Sequence, residues 1–176
     1  MSENYYKNEY DTTGECSHRG LSAELLFEEC MKNRKVKFRP ATKQEQYEHI
    51  DYFLFDNSRK IYTTVDVKAA KKQSRYDSDT SDDIIWVEFK GVSGYPGWLY
   101  GKAKYIAFHK PSEDCFYLVE TKKLAALCEK LCVGTAYSAS QAFHKRYRRS
   151  GRLDEISIIS FEDLKYLEKV TKLSLH

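Results

Sequence analysis

The spacing of hydrophobic and polar positions divides the chain into elements before any chemistry is considered. From Ser17 or Gly20 to about Lys35 the apolar residues recur at helical spacing, which predicts a first helix. Further on, two runs rich in aromatic and β-branched residues, His49–Phe55 and Lys60–Ala69, flank a short polar segment. This pattern is typical of a β-hairpin.

The rest of the chain predicts more strands and two more helices. The other strands are predicted at Val36–Phe38, Ile84–Val92, Tyr105–His109, Cys115–Val119 and Ile156–Ser160. One helix is predicted at Lys122–Cys132 with Thr121 as its cap, and a final helix runs from Ser160 to about Val170. Residues 1–17 are polar and aperiodic, which predicts a flexible N-terminal arm. The order predicts a single α/β (α+β) domain with a mixed central sheet flanked by helices.

Composition narrows the class of protein. The chain has 176 residues, of which 41% are hydrophobic and 31% charged, as in one soluble globular domain. It has no apolar run of about 18 residues and no basic-then-apolar start, so we expect neither a membrane span nor a signal peptide. The cysteine count is five, an odd number without disulfide-scaffold spacing. This favours a reducing, cytoplasmic location.

The candidate chemistry lies in the first hairpin. If the turn is centred at Ser58-Arg59, Asp51 lies directly opposite Asp66, with Cβ atoms about 4.5–5.5 Å apart. If it is centred one residue earlier, Asp51 lies opposite Thr64, and Asp66 becomes its diagonal neighbour on the same face. Either pairing brings two carboxylates close together.

Close carboxylates repel, and a protein usually keeps them because a cation lies between them or because one of them holds a proton. Lys68 is two residues after Asp66, so both side chains share a face of the strand. A lysine in this place is suited to orienting a water or stabilising an oxyanion near a metal. The alternative is an exposed hairpin with its charges in solvent.

Three other positions are candidates for the same site. Glu24 lies among apolar neighbours of the first helix, so it either points inward or forms a solvated flank. Glu88-Phe89-Lys90 is a second acid-x-Lys pattern, and it competes with Asp66-Val67-Lys68 for the catalytic assignment. Trp98 lies in a glycine-rich aromatic stretch and either stacks on a base or seals the core.

A basic segment near the C-terminus indicates nucleic acid, although the net charge of +3 does not. Five of the nine residues in His144–Arg152 are positively charged, and a tyrosine lies among them. These five candidate contacts to nucleic acid are Lys145, Arg146, Arg148, Arg149 and Arg152.

Together, these motifs and their order resemble the PD-(D/E)xK nuclease superfamily, which has the restriction-endonuclease-like fold. The resemblance runs from the first helix to roughly Phe108. It is closest to small phage- and mobile-element-type members, through His49-Ile50-Asp51, Val65-Asp66-Val67-Lys68 and Gly97–Gly101. The chain departs from the family pattern in two ways: no proline precedes Asp51, and the acid before the lysine is aspartate rather than the commoner glutamate.

The resemblance implies a magnesium-dependent phosphodiesterase that acts on DNA, in which manganese can substitute. In this reading Asp51, Asp66 and the main-chain carbonyl of Val67 bind the metal, and Lys68 positions or helps deprotonate the attacking water. Glu24 matches an additional acid, and Glu88 can line the site. Cutting both strands of a duplex calls for a homodimer. The alternative functions are a non-catalytic nucleic-acid-binding module and an interaction protein on the same fold.

Overall fold

The computed structural model describes residues 15–58, 60–73, 77 and 81–176. Its α-helices in this part of the chain are α1 (Glu15–Asn33), α2 (Lys43–Gln46) and α3 (Thr121–Leu131). The strands are β1 (Lys37–Pro40), β2 (Tyr52–Phe55), β3 (Ile61–Lys68), β4 (Ile84–Lys90), β5 (Tyr105–Lys110), β6 (Cys115–Glu120), β7 (Thr135–Ala136), β8 (Arg146–Tyr147), β9 (Glu155–Ser160) and β10 (Val170–Ser174). The fold is therefore of the mixed α and β class.

A six-stranded sheet with the order β1-β2-β3-β5-β6-β10 forms the centre of the fold. The predicted hairpin is confirmed, because β2 pairs antiparallel with β3, and the strands predicted at Tyr105–His109 and Cys115–Val119 form a second antiparallel pair, β5 with β6. The pairing of β3 with β5 is parallel, which makes the sheet mixed. Helix α1 covers one face of this sheet, where Phe27 packs in a buried cluster with Tyr52 and Val65.

Strand β4 belongs to a second sheet, with the order β4-β9-β8-β7. The strand next to β3 is therefore β5 and not β4. The side chains of Ile85, Val87 and Phe89 alternate inward along β4 and pack with Ile106 and Leu124 in the larger core. This packing joins the two sheets and α3.

The predicted final helix is wrong beyond its first turns. Ser160 does cap a helical segment, and its side chain and Asp163 form a reciprocal capping box. That segment is a short 3₁₀ helix, Phe161–Tyr166, after which β10 extends the central sheet by pairing with β6. Thr121 is likewise the first residue of α3 rather than its cap, and the capping position is Glu120.

The N-terminal prediction is only partly within the described residues. Helix α1 already begins at Glu15, and most of the predicted arm lies outside the described part of the chain. The predicted solvated loop at residues 71–83 is described only in part, with a bridge between Lys71 and Ser81. Across the described residues, none of the helices is both long and apolar enough to cross a membrane.

Candidate functional site

The hairpin has the first of the two registers considered. Tyr52 is the partner of Val65, Asp51 lies directly before this pair, and its carboxyl is within hydrogen-bond reach of the Asp66 carboxyl. Two bonds hold Asp51 at this point: its amide donates to the Val65 carbonyl at 2.9 Å, and its Oδ2 accepts from the Val67 amide at 2.7 Å. The opposed carboxylates are therefore held by the backbone of β3.

Lys68 reaches directly to Asp66. The Lys68 Nζ atom lies 2.6 Å from Asp66 Oδ1, and Asp66 is only 2% exposed. The other oxygen, Asp66 Oδ2, is buried and accepts no bond from an N–H or hydroxyl group of the described residues, and the carboxyl of Asp51 lies within hydrogen-bond reach of Asp66. A buried carboxylate oxygen without a partner is costly, so this atom marks a place where a further positive group is favourable.

The surroundings make the acids at this site weak. Burial, followed by the charge of Asp66, raises the pKa of Asp51 to about 7. Burial, followed by the charge of Asp51, raises the pKa of Glu24 to about 7 as well. Burial acts to lower the pKa of Lys68, but the charges of Asp66 and Asp51 outweigh it and the pKa is raised. Lys68 is therefore an ammonium group at neutral pH.

Glu24 is directed toward the site rather than into solvent. Its carboxyl interacts electrostatically with both Asp51 and Lys68, although it lies on α1 and they belong to the hairpin. The same side of α1 is tied to β2 by Tyr52, whose hydroxyl donates to Glu28 Oε1 at 3.0 Å. The sequence analysis did not single out this tyrosine.

Glu88 approaches the site from the second sheet. Its charge acts on both Lys68 and His49, so it lies near Lys68 although β4 is not the neighbour of β3. Lys90, the lysine of the competing acid-x-Lys pattern, is exposed at the end of β4. The lysine that contacts a buried carboxylate is Lys68, which favours the Asp66-Val67-Lys68 assignment.

His49 is a site residue that the sequence analysis did not assign. Its backbone has a φ of 58°, and its partly buried ring donates a hydrogen bond to the Pro96 carbonyl. Burial, followed by the charge of Lys68, lowers its pKa. In the sequence, only the position of His49 two residues before Asp51 pointed to this role. A left-handed backbone at a histidine is uncommon and cannot be predicted from the residue pattern.

The segment Gly97–Gly101 encloses the site with close backbone contacts. A Cβ at Gly97 would lie 2.2 Å from the Glu88 carbonyl oxygen, and one at Gly101 would lie 2.6 Å from His49 Cβ. Trp98 between them is 6% exposed, and the Lys68 ammonium lies over its ring at 5.5 Å. Trp98 therefore packs against the lysine and the core, which is the second of the two alternatives for this residue, and a stack on a base stays a prediction.

The basic segment is less available than its composition indicated. Arg146 donates to Glu129 and Glu155 at 2.5 Å each, and its guanidinium lies over the Phe89 ring. Arg149 forms an ion pair with the fully buried Asp154. Both arginines therefore have carboxylate partners within the fold, and their contact with nucleic acid stays a prediction.

The exposed cations of this segment are Lys145 and Arg148. The described part of the chain supplies neither of them with a carboxylate partner. Arg152 is partly buried and already has an interaction partner within the protein. Lys145 and Arg148 are therefore the cations of this segment whose charge is most available to a phosphate.

The donor set at the hairpin fits a hard divalent cation. Two adjacent carboxylates, one with an unsatisfied buried oxygen, are ligands that Mg²⁺ accepts together with several waters. Within the described residues, no three or more His, Cys, Asp and Glu side chains are arranged to hold a metal ion. A metal here would therefore rest on Asp51 and Asp66 with main-chain and water oxygens, and Glu24 would remain outside its ligands.

Comparisons of the chain with protein-family models, with curated proteins and with solved structures find no match. Any statement about function therefore depends on the geometry of the hairpin and on the groups that surround it.

Proposed function

We propose that this protein is a Mg²⁺-dependent nuclease that hydrolyses phosphodiester bonds in DNA, with Mn²⁺ as a possible substitute. The observation that carries the proposal is the buried group of Asp51, Asp66 and Lys68. One oxygen of Asp66 is bound by the lysine, and the other is buried without an N–H or hydroxyl donor among the described residues, beside the carboxyl of Asp51. A structural ion pair would not need the second carboxylate, whose presence costs stability.

The residues that would hold the metal are Asp51 and Asp66, with the main-chain carbonyl of Val67. The chemistry supplied by Mg²⁺ at such ligands is Lewis-acid chemistry, which offsets phosphate charge and makes water more acidic. Lys68 remains protonated, so it donates hydrogen bonds: it orients the attacking water and stabilises charge on the phosphate oxygens. Trp98 restricts the position of Lys68 by packing beneath its ammonium group.

The central sheet supports the restriction-endonuclease-like fold as part of this proposal. The hairpin that carries the acids lies beside a parallel strand, and the first helix brings Glu24 to the same place. A fold alone does not define an activity, so the weight of the proposal lies on the side chains.

A cleavage assay tests the proposal. Labelled duplex, single-stranded and branched DNA are incubated with Mg²⁺, Mn²⁺ or EDTA, using wild type, Lys68→Ala and Asp66→Asn. We expect cutting that requires the metal and falls by at least about 10²-fold in both variants, as when a group that stabilises transition-state charge is removed. The matched control is Lys130→Ala, which removes an exposed lysine of α3 and keeps wild-type cutting.

Two outcomes contradict the proposal. Cutting that persists in EDTA or survives both substitutions means that the active site is elsewhere. Salt-sensitive binding of DNA without cutting on any substrate identifies the non-catalytic binding module instead.

A further inference from the structure

Two loops meet beside the candidate site and expose apolar side chains at their tip. The first loop comprises residues 91–97 and the second residues 149–153, and we call them the paired loops. Tyr95 in the first is 76% exposed, and Leu153 in the second is 56% exposed. Large apolar side chains in solvent are common singly, but two on adjoining loops form a patch that fits a ligand.

The first loop is held in one conformation by its own backbone. The amide of Gly91 donates to the Tyr95 carbonyl at 2.8 Å, and Gly94 adopts a φ of 85° that only glycine takes readily. The amide of Leu153 donates to the Val92 carbonyl at 3.2 Å, which ties the second loop to the first. A Cβ at Gly94 would lie 3.3 Å from Leu153 Cδ1, so the leucine packs directly over this glycine.

The second loop is anchored from below by a buried charge. Asp154 is fully buried, accepts from the Arg149 amide at 3.2 Å and forms an ion pair with the guanidinium of the same arginine. The exposure of Leu153, next to this anchor, is therefore imposed by the structure of the loop.

The paired loops lie next to the candidate catalytic group. Pro96, which follows Tyr95, accepts the hydrogen bond from the ring of His49, two residues before Asp51. A Cβ at Gly91 would lie 3.7 Å from Glu88 Oε1, which places the other end of the same loop beside the site. The first loop therefore lies beside two residues of the site, His49 and Glu88.

The charges around the tip favour nucleic acid as its partner. Lys90 directly precedes the first loop and Arg148 directly precedes the second, and both side chains are exposed. The described residues offer neither of them a carboxylate. Apolar side chains between two cations suit a nucleic acid, whose bases can stack and whose phosphates are negatively charged. They suit a protein partner less well, because the centres of protein interfaces are depleted of charged residues.

We propose that the paired loops contact unpaired bases of the substrate, with Tyr95 stacked on one base and Leu153 packed against its neighbour. Lys90 and Arg148 then bind the flanking phosphates. This inference rests on the proposed nuclease function and names its substrate class: DNA in which a duplex opens into a single strand at the cleavage point.

Binding measurements in EDTA test the proposal apart from catalysis. Fluorescence anisotropy compares the affinity of wild type, Tyr95→Ala and Tyr95→Phe for a duplex with a single-stranded tail and for a blunt duplex of the same length. We expect Tyr95→Ala to lose about tenfold in affinity for the tailed duplex only, as for one lost base–aromatic stack. Tyr95→Phe keeps the wild-type affinity because it keeps the ring.

Matched controls come from exposed residues elsewhere. Tyr166→Ala removes a tyrosine that is 62% exposed, and Val133→Ala trims an aliphatic side chain that is 64% exposed. Both keep wild-type affinity, whereas Leu153→Ala weakens binding of the tailed duplex. Circular dichroism verifies that each variant is folded.

The outcomes separate this inference from the proposed function. Equal losses for both DNAs, or no loss in Tyr95→Ala, overturn the base contact. A wild-type protein that self-associates through Tyr95, with unchanged DNA affinity in the variant, overturns it in favour of a protein interface. Tailed DNA bound through Tyr95 but never cut supports the base contact and refutes the nuclease.

Discussion

Replacing Asp51 by asparagine makes the metal-free protein more stable at pH 8. The ordinary pKa of this carboxyl is 3.8, and in the folded protein burial and the charge of Asp66 raise it to about 7. Between about pH 4 and pH 7, this carboxyl is therefore protonated in the folded state and ionised in the unfolded state. Stability falls as the pH rises through this window, and above it the folded protein carries the full cost of the ionised group.

The size of this cost follows from the shift. A pKa difference of one corresponds to about 1.4 kcal/mol, so raising the pKa of Asp51 from 3.8 to about 7 sets an upper bound of roughly 4 kcal/mol. Partial access to solvent reduces this value, and we expect a gain of about 2 kcal/mol in Asp51→Asn at pH 8. The amide oxygen still accepts from the Val67 amide, so the substitution preserves that bond.

Urea unfolding in EDTA at several pH values between 4 and 8 measures the effect. The gain of Asp51→Asn should be greatest at pH 8 and shrink toward pH 4, where the wild-type carboxyl is protonated in the folded state. The control is Asp56→Asn in the hairpin turn. Hydrogen bonds from Ser58, then from the Lys60 amide, lower the pKa of Asp56, so its substitution should destabilise the protein instead.

The reasoning is refuted if Asp51→Asn is no more stable than wild type at pH 8 in EDTA. A gain of the same size at every pH would also refute it, because the effect would then not come from ionisation.

The remaining predictions concern the metal and the basic segment. Mg²⁺ at a hundred times its dissociation constant should stabilise wild type by about 2.7 kcal/mol and should not stabilise Asp66→Asn, as measured by thermal unfolding. Arg149→Ala leaves Asp154 buried without its partner, so urea unfolding should show a loss of about 3 kcal/mol. The exposed neighbour serves as the control, and Arg148→Ala should change stability by less than about 0.5 kcal/mol.

The parts of the site that are local in sequence could be predicted. The polar turn separates two β-rich runs and predicts that Asp51 and Asp66 come together, although the register also shifts between Leu54 and Phe55, which the pattern does not predict. The spacing of two residues between Asp66 and Lys68 then places both on one face of a strand. The inward orientation of Glu24 stayed open because a carboxylate beside apolar neighbours can turn either way, and only the packing of α1 on the hairpin decides it.

The sheet order could not be predicted, because it depends on partners far apart in the chain. Periodicity identified β4 as a strand, but its partner β9 is formed by residues 155–160. The helix predicted after Ser160 has the correct cap, since a capping box is a local signal. The helix is followed by β10 instead of continuing, because β10 pairs with the edge of β6. This pairing cannot be predicted from the local residue pattern.

A count of charges in the basic segment likewise omits partners that lie elsewhere in the chain. The sequence presents Arg146 as one of five cations, but Glu129 on α3 and Glu155 on β9 neutralise it. Arg149 is neutralised by Asp154, five residues later. A count of charges describes composition alone. The three-dimensional arrangement is needed to tell a cation that is available to a phosphate from one that forms an ion pair within the fold.

The arrangement of the two sheets concentrates negative charge where the proposed function needs a cation. Carboxyls from four places converge on Lys68: Glu24 from α1, Asp51 before β2, Asp66 from β3 and Glu88 from β4. Above about pH 7, where Asp51 and Glu24 lose their protons, one ammonium group faces four carboxylates, although the whole chain has a net charge of +3. A phosphate approaching this place without a metal would be repelled. In the proposed nuclease the divalent cation is therefore required for the substrate to enter the site as well as for its hydrolysis.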